Sequence, residues 1–295
     1  METSLASISR NHAHYKRCYD IFEQKSGKIE LYNKWASEEF PNIIQNIFDN
    51  KTRISCGRSL GIGSGTGSFE AALLKQLQLY FPSIHHIVVE PSETYVSHYK
   101  LHSILDDVQY DWQLKTMQQF KHDRDVSCNG RKFDFISAVN SLYYADDLNE
   151  TLRYLVDQLT PKGCLMIFIR SEKGAGYRII VNFPELHPAF EGSYLISSQT
   201  IVDMLTGMGL KHKVYHLPTS VDFSSAMNES DAEGNALLDL YTGIVDFRQT
   251  APPSLVESVL EFLNKEERPD EEDLNMHVQS HLVLMEWDII FIEKQ

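Results

Sequence analysis

The nine residues Ser59-Leu60-Gly61-Ile62-Gly63-Ser64-Gly65-Thr66-Gly67 (SLGIGSGTG) decide the fold. Residues 59–62 read as a strand entering a glycine loop, and Phe69, Ala72, Leu73, Leu77 and Tyr80, at i, i+3, i+4, i+8 and i+11, mark the helix that follows. Glycines at such a turn let backbone approach a ligand closely, because no Cβ intervenes and positive φ costs little. The alternative is a tight strand-to-helix connection that binds nothing. Outward from the loop, residues 86–90 (HIVVE) form a second strand that ends on Glu90, 25 residues beyond Gly65. An acid in that place can accept hydrogen bonds from both hydroxyls of a ribose.

The glycines run GxGxGxG. They match neither the GxGxxG of a pyrophosphate cradle nor the GK[ST] of a phosphate loop, so a nucleoside cofactor without phosphate, S-adenosylmethionine, suits the loop better. Further strands follow at 108–112, 133–139 and 164–169, with helices from about residue 92 and over 148–159. Strands alternating with helices predict crossover units and a mainly parallel, doubly wound α/β sheet, seven-stranded and Rossmann-like. Residues 171–197 show aromatics without a clean period and read as an irregular insertion. Helices near residues 201–208, 235–245 and 254–263, a strand at 213–216 and a final strand at 283–292 complete the pattern. Upstream, Tyr15, Cys18, Tyr19 and Phe22 lie on one helical stripe, and a second helix over 30–49 kinks or restarts at Pro41. The chain is expected to form one domain: an N-terminal helical cap over about 1–50, a cofactor core over about 56–170, and a cap insertion with the remaining core over about 171–295.

Composition narrows the function. Of 295 residues, 27 are Lys or Arg and 41 are Asp or Glu, a net charge of −14 that argues against a nucleic-acid or anionic-membrane partner. No apolar run is long enough to span a bilayer, and no signal peptide opens the chain, so a soluble cytoplasmic protein is expected. Cys18, Cys56, Cys128 and Cys164 form no CxxC pair, and neither a disulfide framework nor a metal site is expected. The acidic run at 266–273 reads as a solvated loop, and His12, His14, His85 and His86 as ordinary surface or helix residues.

Gly63-Ser64-Gly65-Thr66-Gly67 with Glu90 resembles the first motif and the post-strand acid of class I S-adenosylmethionine-dependent methyltransferases, with Gly61 standing where many members carry Asp. Within that class the chain is similar to the histamine N-methyltransferase family. The resemblance rests on the Tyr15 helix, Pro41-Asn42-Ile43-Ile44, Val88-Val89-Glu90-Pro91-Ser92, Asp134-Phe135-Ile136, Ser141-Leu142-Tyr143-Tyr144, Met208-Gly209-Leu210 and Thr250-Ala251-Pro252-Pro253, in the family's order.

That resemblance implies a monomer that transfers a methyl group to a small imidazole-containing amine. It places Gly63, Gly65, Gly67, Glu90 and Val139 at the cofactor, with Val139 also readable as a plain strand residue. Tyr95 and Met117 stand where the family uses a glutamine and a serine. It implies an aromatic substrate box of Tyr15, Tyr19, Tyr143, Tyr144 and Tyr177, although Tyr15 and Tyr19 could equally just pack their helix. Lys28, Asn140 and Met285 occupy positions where the family has an acid and two amides. Asn140 is the expected orienter of the substrate ring, with no general base assigned. Lys28 reverses a charge and suits a carboxylate-bearing imidazole such as histidine or carnosine, unless Glu30 takes the acid's place. A cofactor-binding pseudoenzyme and a nicotinamide-dependent oxidoreductase are the alternatives from other classes.

Overall fold

A computed structural model describes residues 5–48, 56–127, 130–190, 196–266 and 281–294. In chain order the elements are α1 (His12–Lys25), α2 (Lys28–Glu38), α3 (Phe40–Phe48), β1 (Gly57–Ile62), α4 (Ser68–Leu77), β2 (Ile84–Val89), α5 (Glu93–His102), β3 (Val108–Gln113), α6 (Met117–Ser127), β4 (Phe133–Val139), α7 (Leu148–Asp157) and β5 (Leu159–Arg170). They continue with α8 (Ala175–Asn182), α9 (Ser198–Gly207), β6 (His212–Asp222), α10 (Ala232–Thr242), the single turn α11 (Phe247–Thr250), α12 (Pro253–Lys265) and β7 (Leu282–Glu293).

The strands form one seven-stranded sheet in the order β3-β2-β1-β4-β5-β7-β6. β1 pairs in parallel with β2 and β4, β2 with β3, and β4 with β5, as crossover connections through helices produce. Lys294, just past β7, exchanges backbone hydrogen bonds of 2.9 Å with Lys162 and Gly163 near the start of β5, so β7 runs antiparallel to it. The strand order reverses between β1 and β4, and in open α/β sheets that switch point is where ligands bind, beyond the carboxyl ends of the strands.

The chain divides into two compact units, one of residues 1–29, 170–200 and 216–287, the other of residues 30–169, 201–215 and 288–295. Residues 30–48, grouped by sequence with the N-terminal cap, thus belong with the sheet. Their rings explain why: Tyr32 packs 4.7 Å from Phe69 and 4.6 Å from Phe168, centroid to centroid, and Trp35 packs against Phe40 and Phe291. Each buried ring contributes roughly 1.5–3 kcal/mol of transfer free energy. The other unit has its own core, in which Phe22, Ile179, Val221, Phe223, Leu237, Tyr241, Val283 and Met285 are all buried.

Most of the expected elements are present. The 30–49 pattern is two helices, with Pro41 in the first turn of α3, where a missing N–H costs nothing. Within the stretch expected to be irregular, residues 175–182 and 184–190 are helical. α8 buries Ala175, Ile179 and Ile180 on one face, and Pro184–Phe190 winds as a 3-10 turn. α6 was not foreseen, because its sequence MQQFKHDRDVS carries no apolar stripe. Cys128, the residues of the acidic run after Glu266 and the side chain of His12 lie outside the described residues.

Candidate active site

The glycine loop leaves β1 at the switch point and feeds α4. Gly63, Gly65 and Gly67 all adopt positive φ, at 63°, 56° and 74°. Two of them are also sterically fixed: a Cβ on Gly63 meets Cβ of Ser141 at 2.4 Å, and one on Gly67 meets the ring of Tyr99 at 2.3 Å. Gly65 differs, with no atom within 4 Å of its Cβ position, so this turn presents bare backbone to open space. Its N–H donates to Oε2 of Glu90 at 2.9 Å, and the N–H of Ser92 donates to Oε1 at 2.9 Å. Each carboxylate oxygen keeps a lone pair for a further donor. Burial pushes the Glu90 carboxyl above its usual range, and the two backbone bonds pull it back.

Beside the loop, at the end of β4, Val139 is half-buried and pairs in register with Phe168. Asn140 follows with φ of 49°, a left-handed conformation that Asn tolerates, fixed by its N–H to the carbonyl of Phe168 at 2.8 Å. Its Nδ2 donates to the Tyr32 hydroxyl at 3.3 Å, while its Oδ1 is buried and unpartnered. Because amide oxygen and nitrogen are interchangeable by a flip, one end of this amide is held by Tyr32 and the other is available to a ligand in either orientation. The neighbouring Ser141 hydroxyl is buried and unpartnered too. A cluster of unmet polar atoms at the switch point is what a polar ligand satisfies.

The remaining expected cofactor residues lie on the following helices. Tyr95 sits in the first turn of α5, its N–H capped by the Ser92 hydroxyl at 3.3 Å, and Met117 opens α6; both are half-buried. After β4, Tyr143 is half-buried, whereas Tyr144 is 71% exposed and projects into solvent.

The first unit gathers the rest. Tyr15 and Tyr19 stack at 6.0 Å on α1, and Tyr19 leads on to Phe22 at 5.7 Å. Lys28 is only 2% exposed; its Nζ donates to the Tyr19 hydroxyl at 2.9 Å and lies 4.5 Å from the Trp287 ring centroid and 5.3 Å from that of Phe22. Burial pushes the Lys28 ammonium down to about 8, and the charge of Glu23 acts against it. Glu30 is exposed, so of the two charged residues Lys28 is the enclosed one. Tyr177 lies under the guanidinium of Arg170 at 5.7 Å. Met285 is buried in the core of this unit, close to Gly176 and among residues that include Tyr241.

Sequence reasoning missed Tyr32, Trp287, Glu70 and His86. His86, expected at the surface, is 1% exposed on β2, with Nε2 3.1 Å from Oε2 of Glu70 and Nδ1 2.8 Å from the Ser59 hydroxyl. Its place in the apolar run HIVVE was the available signal. His14, Cys18 and Asp239 also converge. Asp239 is largely committed there, accepting from the backbone N–H of Asp246 and Phe247 and lying 2.7 Å from His14, while burial pushes the Cys18 thiol up to about 12.

A doubly wound sheet with an open glycine loop at its switch point and a buried carboxylate at the end of the next strand defines the class I methyltransferase type. A solved structure of the plantazolicin methyltransferase in complex with SAH shares this fold, at 13% identity, TM-score 0.51, and coverage of 95% of this chain and 90% of that one. The chain belongs to the methyltransferase-domain family, whose profile matches residues 32–214. Among individual proteins it is similar to histamine N-methyltransferase A of Xenopus laevis, 28% identical over 266 residues, covering 88% of this chain and 90% of that protein. It is also similar to histamine N-methyltransferase of Bos taurus, 26% identical with coverage of 90% and 92%. Carnosine N-methyltransferase 2 of Gallus gallus is 26% identical, with coverage of 88% and 81%.

Proposed function

We propose that the protein is an S-adenosylmethionine-dependent N-methyltransferase acting on a small imidazole-containing amine of the histamine type. The observation that carries this reading is Glu90, whose two oxygens each hold one backbone N–H and keep one free lone pair beside the open face of Gly65. That arrangement suits the two hydroxyls of a ribose, and a cofactor without phosphate needs no further anion cradle. When bound, S-adenosylmethionine supplies a methyl group already activated by its sulfonium. The chain's part is then to align a neutral nucleophile and exclude water, so proximity and orientation carry the rate. The free end of the Asn140 amide orients the acceptor ring, and an imidazole, with a solution pKa of about 6.5, needs little deprotonation near neutral pH. Tyr143, close after Asn140 in the chain, is the aromatic face we assign to the acceptor.

A second reading concerns the acceptor's charge. The enclosed Lys28 ammonium favours a carboxylate over an ammonium, which supports histidine or a histidyl dipeptide as substrate, and one similar protein bears the name of a carnosine N-methyltransferase. A Lys28→Glu variant is expected to shift preference toward histamine, and an unchanged ratio of histamine to carnosine turnover contradicts the charge reading. We further propose that the protein works as a cytoplasmic monomer without nucleic-acid partners, in keeping with its net charge of −14. No helix among the described residues is long and apolar enough to cross a membrane.

Calorimetric titration with S-adenosylhomocysteine tests the cofactor site. Wild type is expected to bind and Glu90→Ala to bind about tenfold or more weakly, since a hydrogen bond to a charged group contributes roughly 1.5–3 kcal/mol. Equal binding by both overturns the assignment of Glu90.

A further inference from the structure

Beneath the glycine loop lies a buried acid that none of the roles above uses. Glu70, on the first turns of α4, is 4% exposed, and its carboxylate is the meeting point of three side chains from three elements. The Ser137 hydroxyl of β4 donates to Oε1 at 2.8 Å, the Tyr99 hydroxyl of α5 donates to Oε2 at 3.3 Å, and His86 of β2 lies 3.1 Å from Oε2. Burial pushes the Glu70 carboxyl up, but the charge and hydrogen bond of His86, with the hydroxyls of Ser137 and Ser64, outweigh it and hold the group below its usual range.

The carboxylate occupies a space that the backbone of β1 has left for it. A Cβ built on Gly61 stands 2.0 Å from Oε1 of Glu70 and 2.5 Å from its Cδ. No positive φ constrains Gly61, so the close approach of Glu70 is what demands a glycine there. The other close atom, the Ser64 hydroxyl at 2.4 Å, is the end of a short side chain that can rotate away.

Three of the strands around Glu70 lead directly to the candidate site. β1 passes from Gly61 into the loop, β2 from His86 to Glu90, and β4 from Ser137 to Asn140. We propose that Glu70 is a positioning residue for the cofactor: seated in the space Gly61 leaves open, it locks the ends of β1, β2 and β4 in the register that sets Gly65 against Glu90. The proposal rests on the reading of this loop as an S-adenosyl site. A buried polar hub specifies one arrangement of its neighbours only when every member is satisfied, and here the carboxylate is satisfied at both oxygens.

The test is titration with S-adenosylhomocysteine across wild type, Glu70→Gln, Gly61→Ala, Glu70→Ala and the Gly61→Ala/Glu70→Ala double variant, with thermal unfolding recorded for each. Glu70→Gln, nearly isosteric, is expected to bind about tenfold or more weakly. Gly61→Ala is expected to lose binding by a larger factor. Removing the carboxylate opens its space, so the double variant should bind within about threefold of Glu70→Ala alone, a strong non-additivity. Additive losses in the cycle, or a Glu70→Gln variant that binds like wild type, overturn the proposal. Failure of wild type itself to bind overturns the S-adenosyl reading first.

The pH profile separates positioning from bulk stability. The charge of Glu70 adds to burial in raising the Glu90 carboxyl, with His86, Tyr99 and Tyr110 the other titratable groups around Glu70. In Glu70→Gln the loss of the Gly65 bond, which lowers the Glu90 carboxyl by more than the Glu70 charge raises it, is expected to move the acid limb of cofactor affinity to higher pH. A limb that stays in place or moves to lower pH contradicts the proposal.

Discussion

The switch point of the sheet and the enclosure around Lys28 hold their polar groups by opposite means. At the switch point, glycines and backbone groups do the holding: the Glu90 carboxylate accepts from the N–H of Gly65 and Ser92, and the N–H of Asn140 donates to the carbonyl of Phe168. Around Lys28 the work is done by ring faces, with the Tyr19 hydroxyl accepting at 2.9 Å and the Trp287 ring at 4.5 Å. Fixed backbone donors return part of a buried carboxylate's hydration, and ring faces return part of an ammonium's. The titration shifts reflect what is left: burial raises the Glu90 carboxyl against its two backbone bonds and lowers the Lys28 ammonium to about 8.

The largest effect that would break this comparison lies at Gly67. A valine there must adopt a φ of 74° and displace the Tyr99 ring, so Gly67→Val is expected to lose cofactor binding entirely and to lower the thermal midpoint steeply. A variant that binds S-adenosylhomocysteine within a few fold of wild type contradicts the cradle.

Lys28 gives the next largest effect. A lysine whose pKa drops on folding binds fewer protons folded than unfolded between about 8 and the ordinary 10.5, so stability rises with pH across that window. The penalty is fully present below about pH 8 and amounts to roughly 3 kcal/mol. Urea unfolding of Lys28→Met is expected to show a variant more stable than wild type near neutral pH, with the difference shrinking from pH 8 to 10.5. A difference that stays flat over that range indicates an ammonium better compensated than its enclosure suggests.

Asn140→Ala sharpens the other side. In the role proposed for it the free amide end serves the acceptor and not the ribose, so kcat/KM for the acceptor is expected to fall about tenfold while S-adenosylhomocysteine affinity changes by less than about twofold. The smallest effect is expected at Tyr144, where Tyr144→Ala should alter stability by less than about 0.5 kcal/mol because its ring stands 71% exposed. A large loss of turnover in that variant would instead restore Tyr144 as a wall of the acceptor site.

The same contrast explains what was legible in the sequence. The loop, β1, α4 and the acid at the end of β2 lie within some thirty residues, and local rules of turn geometry and periodicity identify them. Residues that act through distant partners left no such trace. Glu70 looks like a surface glutamate in SFEAALLKQL until β2, β4 and α5 bring His86, Ser137 and Tyr99 against it. Lys28 suggested a reversed charge, but its enclosure depends on Trp287, far along the chain. α8 went unread because its buried residues Ala175, Ile179 and Ile180 are too few to establish a period among so many aromatics.

Methyl transfer from S-adenosylmethionine to histamine, histidine and carnosine, followed by mass spectrometry in parallel for wild type and Glu90→Ala, tests the central claim most directly. The expected result is one added methyl group on an imidazole acceptor with wild type and at least about a tenfold lower rate with Glu90→Ala. Wild-type protein that binds S-adenosylhomocysteine but methylates none of the three would contradict the account.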